Sequence, residues 1–481
     1  MSKFTDRVYA ASPLLVQQLG IAVFGWFWAR RRLGPIFEKT WREYKDRESW
    51  SRDRLQEYVE AQLRSQVRRA YEQVPFYRES FRENGLSEDL INRLEMNGLS
   101  RLPLLDKATV RENPCRLLTE DAAHKPPASF ATSGTTGTPI RVFLDSATHQ
   151  HLMGVREARS FQWAGVSYRD SRSMAGGRLI VPKSLSKGPY WRYNPWERQL
   201  YLSAFHIGPG TVEDYVKALN KYKPTTMTGY ASANFFLARF IQEAGLHVHS
   251  PKAIITGSER LEPHMRSTME SAFRTRVFEE YGSVENCALA TECERGGLHV
   301  HPDFGLVEIL TPEGKPAKPG ELGELVVTGF ANAKQIFIRY RIGDLASWVG
   351  EPCACGRETL PLLSNLVGRI EDTVVTPDGR ETVRFHGLFI DLPGILEGQV
   401  IQEDYTRFCV KVVPTKKYSS ADRDTICARL KTRLGTAVEI TVCEVVEIPR
   451  EANGKYRSVL SRVNRNPELG RTGTPGINSP G

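Results

Sequence analysis

The sequence predicts an α/β protein in two parts, a large domain of layered sheets and helices followed by a small α+β domain. Three observations predict it. Between about residues 128 and 330, short apolar or β-branched runs such as PIRVFL, RLIVP, AIITG, RVFEEYG and ELVVTGF alternate with helical stretches such as 212 to 221 and 233 to 244, the pattern of helices layered on a buried sheet. The alternation restarts after Gly368 with strand-like RFCVKVV, a helical stretch from 421 to 434 and strand-like EITVCEVV. At 481 residues the chain also exceeds what one core usually holds.

Taken in order, residues 1 to 32 form an apolar N-terminal segment in which PLLVQQLGIAVFGWFWA (13 to 29) runs into Arg30, Arg31 and Arg32. It is short for a membrane span and contains Gln17 and Gln18, so it reads as a packed helix or a membrane-surface helix rather than a crossing. Residues 36 to 95 are charged, with Leu55, Tyr58, Val59, Leu63 and Val67 at helical spacing. These helices and the α/β region make one large domain from 33 to 368. The small domain covers 372 to 465, and 466 to 481, rich in Pro, Gly, Asn and Ser, reads as a disordered tail.

The hydrophobic fraction of 40% with 25% charged residues is that of a globular protein. A net charge of +9, spread over the chain, suits anionic substrates or contact with an anionic membrane surface. No motif of interleaved aromatic and basic residues supports a nucleic-acid partner. The eight cysteines show no disulfide-scaffold spacing, which fits a reducing cytoplasm.

The most informative run is FATSGTTGTP, 130 to 139. Gly134 and Gly137 can take backbone angles closed to other residues, so successive N–H groups beside the hydroxyls of Ser133, Thr135, Thr136 and Thr138 can cradle a polyphosphate. It lacks the Gly-Lys-Ser/Thr ending of a Walker loop. Near the other end, PREANGKY (449 to 456) places Lys455 just after an Asn-Gly turn. YGSVEN (281 to 286), RYRIGDL (339 to 345) and VGRIED (367 to 372) lie between them, in that order.

These segments and their order resemble the adenylate-forming superfamily of acyl-CoA synthetases, adenylation domains and luciferases, over about residues 70 to 465. VPFYRESF (74 to 81), TGYASA (228 to 233), ECERGGLHVHPD (292 to 303), CACGR (353 to 357) and VIQ (400 to 402) narrow the resemblance. They look most like the phenylacetate-CoA ligase group and its CapK-type branch, found with capsular polysaccharide genes. The resemblance implies activation of a carboxylic acid by ATP and Mg2+ to an acyl- or aryl-adenylate, with pyrophosphate released. Transfer to coenzyme A would follow.

Catalytic roles are implied for Lys455, Glu285 and Thr136. ATP or AMP would contact Ser133, Gly134, Thr135, Thr136 and Gly137. Ser258 and Glu259 of TGSER would line the adenine loop, with Tyr281 and Gly282 against the base. Asp344 would accept the ribose hydroxyls, and Arg369 would lie near ribose and phosphate. Glu285 would hold the Mg2+, whose preference is for oxygen ligands. Phe205, His206, Tyr230 and Ala231 would shape the acyl pocket. Glu371, in a hinge at 369 to 371, would let a mobile C-terminal domain swing. A long flexible ammonium such as Lys455 can bridge the attacking carboxylate and the α-phosphate, then leave.

One segment departs from the pattern. TPDGRETVRFHGLFIDLPGILEGQVIQ replaces the usual start of the C-terminal domain, where a thiol acceptor's tunnel is built. Transfer of the acyl group to an amine or hydroxyl is therefore an alternative, as is a non-catalytic nucleotide-binding relative. Separately, Cys293 and His299 followed by Cys353 and Cys355 supply the four ligands of a closed zinc site, with His301 an alternative to His299.

Overall fold

A computed structural model describes residues 8, 9, 11–131, 140–182, 187–369, 374, 375, 381, 382, 388, 389, 392, 394–450 and 457–463. Apolar residues at every third or fourth position make the N-terminal region helical: Leu14–Arg32 (α1), Pro35–Arg47 (α2), Arg52–Gln73 (α3) and Pro75–Glu83 (α4). Pro35 and Pro75 open α2 and α4, where the missing N–H would have had no helical partner. Ser51 caps α3 by accepting from the Arg54 N–H, and Leu55, Val59, Leu63 and Val67 bury one face of it.

A two-stranded hairpin, β1 (Ala128–Ala131) and β2 (Arg141–Leu144), flanks the glycine-rich run and leads into α5 (Ser146–Arg156). There follow β3 (Arg172–Gly176), β4 (Trp191–Asn194), β5 (Gln199–Ser203), α6 (Val212–Tyr222), β6 (Thr226–Gly229), α7 (Ala231–Glu243), β7 (Ala253–Gly257), α8 (Pro263–Phe273) and β8 (Arg276–Gly282). From there to Arg369 the regular elements are all strands: β9 (Leu289–Glu292), β10 (Leu298–Val300), β11 (Gly305–Leu310), β12 (Gly323–Gly329), β13 (Tyr340–Trp348) and β14 (Leu362–Arg369).

These elements build one sheet of 12 strands in the order β11-β12-β13-β14-β10-β9-β8-β7-β6-β3-β5-β4. Strands β8, β7, β6, β3 and β5 are parallel neighbours, with α6, α7 and α8 as the helices of successive crossovers. The pairings from β8 to β9 and β10, from β10 to β14 and from β11 through β13 are antiparallel. The α/β class holds, but the sheet is mixed.

RLIVP, expected to be a strand, is not one. Its place is taken by the preceding RSMAG, which pairs with β5 and β6. Ile180 and Val181 of RLIVP are instead buried in the connection beyond β3, and the Ile180 carbonyl accepts from the Tyr9 hydroxyl at 2.7 Å. An apolar run of that length shows burial without fixing the structure that achieves it.

The chain divides into two compact units, one ending at Leu366 and the next starting at Val367. In the second, a short hairpin, β15 (Val374–Val375) and β16 (Glu381–Thr382), precedes β17 (Ile395–Gln402), β18 (Arg407–Pro414), α9 (Ser420–Leu434), β19 (Glu439–Glu444) and β20 (Val459–Ser461). Strands β19-β18-β17-β20 form a sheet in that order. Val400, Phe408, Val410 and Val412 from it and Ile426, Leu430 and Leu434 from α9 share one core, giving the α+β region expected here.

Candidate functional site

Strand β3 precedes β5 and β6 in sequence yet lies between them in the sheet. Successive connections therefore leave in opposite directions, and such a switch point opens a crevice at the carboxyl ends of parallel strands. Four of the expected segments follow or close those ends: Phe205 and His206 after β5, Tyr230 and Ala231 after β6, Ser258 and Glu259 after β7, and Tyr281 with Gly282 at the end of β8. Gly229 makes the turn possible. Its φ is +126°, and a Cβ there would lie 2.0 Å from the Ala175 carbonyl oxygen of β3.

Polar contacts fix each turn. His206 Nδ1 lies 2.8 Å from the Ser203 hydroxyl, and its ring stacks on Tyr190 with centroids 4.9 Å apart. Ala231 is fully buried in the first turn of α7. Ser258 sits in the left-handed region at φ +66°. The Glu259 carboxylate accepts from the backbone N–H and the hydroxyl of Ser232, at 2.9 and 2.6 Å, so it caps the positive end of α7. Glu279 of β8 accepts from the Leu261 N–H at 3.2 Å, and burial pushes its carboxyl up to about 7. Two carboxylates thus hold the TGSER loop, which the resemblance assigns to adenine.

The antiparallel half returns to the same place. The Tyr281 hydroxyl donates to Asp344 Oδ2 at 2.7 Å, although β8 and β13 are not sheet neighbours. Contact between strands so far apart in the order requires the sheet to curl. Gly343, at φ +84°, precedes Asp344 where the β12–β13 register shifts. Beyond β8, Glu285 is 4% exposed, and its carboxylate accepts from the Tyr340 hydroxyl at 3.3 Å. Burial and the nearby Glu285 raise the Tyr340 phenol, which keeps it a donor. Asn286 turns the chain at φ +55°, and Gly305 packs so closely there that a Cβ would lie 1.9 Å from the Cys287 carbonyl oxygen. The structure therefore brings Tyr281 to Asp344 and sets Glu285 beside β13. Tyr340 lies inside RYRIGDL, but its contact with Glu285 comes from the fold and has no signal in the spacing of the two motifs.

Several expected site residues lie outside the described residues: Ser133, Gly134, Thr135, Thr136 and Gly137, the hinge residue Glu371, Lys455, and the tail from 466. Arg369 ends β14, with only its backbone described.

The cysteine–histidine set converges. The ligand atoms of Cys293, His299, Cys353 and Cys355 all lie within 4.8 Å of one another. Cys293 Sγ and Cys353 Sγ are 3.6 Å apart, and Cys355 Sγ is 3.2 Å from His299 Nε2. Those separations are too long for a disulfide and near the roughly 3.5–3.8 Å edges of a tetrahedron with Zn–S and Zn–N bonds of about 2.3 and 2.0 Å. His299 Nδ1 lies 3.0 Å from the Leu360 carbonyl oxygen, which leaves Nε2 for a metal. Gly297 is needed for space, since a Cβ would sit 2.8 Å from Cys353 Sγ. Burial pushes the Cys293 thiol up to about 12. His301, the alternative ligand, is engaged elsewhere, with Nε2 2.8 Å from the Thr291 hydroxyl and Nδ1 3.2 Å from Arg159.

A second cluster had no local signal in the sequence. Beyond α5 the helix widens into a π turn, Glu157–Phe161, carrying Arg159, which is fully buried and donates to both oxygens of Asp303 at 2.7 and 3.0 Å. Tyr44 of α2 donates to the Asp303 carbonyl at 2.9 Å. This bidentate pair ties the helical layer to the strands after β8.

Residues 374–462 match the family model of the CapK C-terminal domain. Protein CapK of Staphylococcus aureus is 26% identical over 474 residues, covering 95% of this chain and 99% of that protein. Over nearly its whole length the chain is similar to the CapK-type, phenylacetate-CoA ligase-like group of adenylate-forming ligases. The phenylacetate-coenzyme A ligase of Thermus thermophilus is 25% identical over 449 residues, 86% of this chain and 98% of that enzyme. In fold, the chain matches the crystal structure of 2-hydroxyisobutyryl-CoA ligase in the postadenylation state, bound to R3-HIB-AMP. The TM-score is 0.67 at 19% identity, covering 86% of this chain and 90% of that one.

Proposed function

We propose that this protein joins a carboxylic acid to the α-phosphate of ATP, releasing pyrophosphate, and then passes the acyl group to the thiol of coenzyme A with release of AMP. The observation that carries this reading is the 2.7 Å hydrogen bond from Tyr281 to Asp344, at the carboxyl end of β8 and so next to β7, which leads into the Ser258–Glu259 turn. That arrangement suits a nucleoside: an aromatic ring for a base, and a carboxylate with two oxygens for a vicinal diol. Glu285, a hard oxygen donor on the adjoining turn, suits Mg2+. Phe205, His206, Tyr230 and Ala231 stand at the neighbouring strand ends, and their mix of ring and small side chains suits an aromatic or medium-sized acid. Lys455 and the 133 to 137 run enter this reading from the motif resemblance alone. The relatives' names support coenzyme A as acceptor.

ATP–pyrophosphate exchange with Mg2+ across a panel of aromatic, fatty and hydroxy acids tests the first half-reaction. Acid-dependent exchange that Lys455→Ala abolishes is expected, and no exchange with any acid in protein that binds ATP would overturn the reading. For the second half-reaction, coenzyme A is expected to accelerate acyl-AMP consumption. Acceleration by an amine or nucleotide-sugar instead would redirect the acceptor.

The thiol and imidazole set fits zinc, and we propose a structural role for it. It would fix the segment leading into β14, the strand that ends at Arg369. Elemental analysis should find about one zinc per chain, and less than about a tenth of an equivalent would remove the proposal.

A further inference from the structure

Helix α1 is apolar on its outward as well as its inward side, which is unusual for a helix on a protein surface. Its outward side carries Leu15, Leu19, Val23 and Phe27, 83%, 66%, 50% and 62% exposed, at i, i+4 spacing along one stripe. Its inward side is mixed: Ile21 is buried and Trp28 packs edge-on against His149, but glutamines make the contacts to the sheet. Gln17 is 5% exposed and accepts from Arg192 Nε at 3.2 Å, while Gln18 accepts from the Tyr193 N–H at 3.3 Å and donates to the Tyr193 carbonyl. Gly25 passes so near the Asn194 side chain that a Cβ would lie 2.2 Å from it. The helix is thus fastened by polar contacts along β4, the last strand of the sheet, and covers an edge that would otherwise pair with foreign strands. A helix placed only for that purpose would have no need of a second apolar stripe facing outward.

Charge identifies what covers the stripe. No Asp or Glu occurs from residue 7 to residue 37, while Arg7, Arg30, Arg31 and Arg32 fall within that stretch. Arg30 is exposed, with its guanidinium 3.9 Å from the centre of the Trp26 ring. Apolar residues on one side, arginine at the end and tryptophan beside it are the features of a helix lying in a lipid interface. Among the described residues, no helix is long and apolar enough to cross a membrane. A second copy of this chain fits less well, because a two-fold contact would set two acid-free, arginine-bearing segments against each other.

We propose that α1 lies flat on an anionic lipid bilayer, with Leu15, Leu19, Val23 and Phe27 in the boundary between headgroups and acyl chains. This inference does not depend on the acyl-activation reading. Flotation of the full chain with equimolar phosphatidylglycerol–phosphatidylcholine vesicles, and with phosphatidylcholine alone, tests it. Binding to the anionic vesicles is expected, with little to phosphatidylcholine. It should fall by about tenfold or more in a Leu15→Ser/Leu19→Ser/Phe27→Ser variant and by a few-fold in Arg30→Gln, since buried apolar area and attraction to anionic lipid both contribute. The triple variant alters only outward side chains, so its thermal unfolding should match the parent's, which separates lost binding from lost folding. Wild-type protein that floats with neither vesicle, floats equally with both, or keeps its binding in the triple variant would overturn the proposal. So would a dimer in vesicle-free solution, seen by light scattering, that the same triple variant breaks.

Discussion

The two halves of the large sheet reach the candidate site by different means. In the parallel half, β5, β6, β7 and β8 deliver their turns to the crevice because of topology alone, each strand ending at or just before a candidate site residue. The antiparallel half has no such rule. Asp344 arrives because the sheet curls and Tyr281 binds it, and Glu285 is set beside Tyr340. Helix α5 and its π turn join the halves, packing on Phe278 and Ile255 on one side and on Leu289 and Phe304 on the other. In one half position follows from connectivity, and in the other it depends on individual contacts.

The largest expected effect breaks the parallel half at its switch point. Gly229→Ala puts a Cβ 2.0 Å from the backbone oxygen of Ala175 at a φ of +126°. Neither can give way cheaply, and a loss of about 4 kcal/mol or more is expected in urea unfolding. Gly210→Ala, with nothing within 4 Å, is the control and should change stability by less than about 1 kcal/mol. Next comes the join: Arg159→Ala strands the fully buried Asp303 carboxylate and should cost about 3–5 kcal/mol. A smaller loss would mean that Arg47, 3.5 Å from Asp303 Oδ2, takes over the charge.

Acid sharpens the same comparison. His149 and His151, both on α5, are held at about 4 against an ordinary 6.5, each mainly by desolvation. Arg31 and Arg32 oppose protonation of His149 while Asp145 favours it, and Arg47 and Asp303 play those parts at His151. The unfolded chain takes up these protons first, so the two histidines lower stability as pH falls from 6.5 to 4, by roughly 1.4 kcal/mol per pH unit for each fully titrating histidine. Glu279, raised to about 7, gains its proton in the folded chain first and offsets part of that loss. His151→Gln should lessen that slope in thermal melts taken across the window. An unchanged slope would place the acid sensitivity elsewhere.

The same contrast explains what was legible in the sequence. The parallel half declared itself, because AIITG and RVFEEYG are apolar runs whose ends carry Ser258, Glu259 and Tyr281. Of the later strands, β10 is only three residues long, and β13 reads YRIGDLASW, with arginine, glycine and aspartate interrupting any alternation at a register shift. Their place comes from partners distant in sequence, and so does the pairing of Arg159 with Asp303. RLIVP failed for the opposite reason: it looked more like a strand than RSMAG, which the sheet uses. The thiol and histidine spacing pointed to a set that the fold brings together, and the Thr291 and Arg159 contacts show that His301, the alternative, is engaged elsewhere.

The subtlest test concerns the bond that ties the halves at the site. Tyr281→Phe keeps the ring and removes the hydroxyl that donates to Asp344 at 2.7 Å. If that bond serves only to hold the sheet curl, the variant should lose about 1–2 kcal/mol of stability and leave the KM for ATP unchanged. If it aims the Asp344 carboxylate at a nucleotide, the KM for ATP in pyrophosphate exchange should rise by about tenfold while kcat changes little, since orienting a bound ligand affects the ground and transition states alike. Asp344→Asn completes the comparison, because the amide oxygen can still accept from Tyr281 but the negative charge is gone. The expected outcome is a larger rise in KM for Asp344→Asn than for Tyr281→Phe, with a double variant no worse than Asp344→Asn alone. Additive losses would mean that Tyr281 and Asp344 act on the nucleotide independently, and that the antiparallel half reaches the site without the tie.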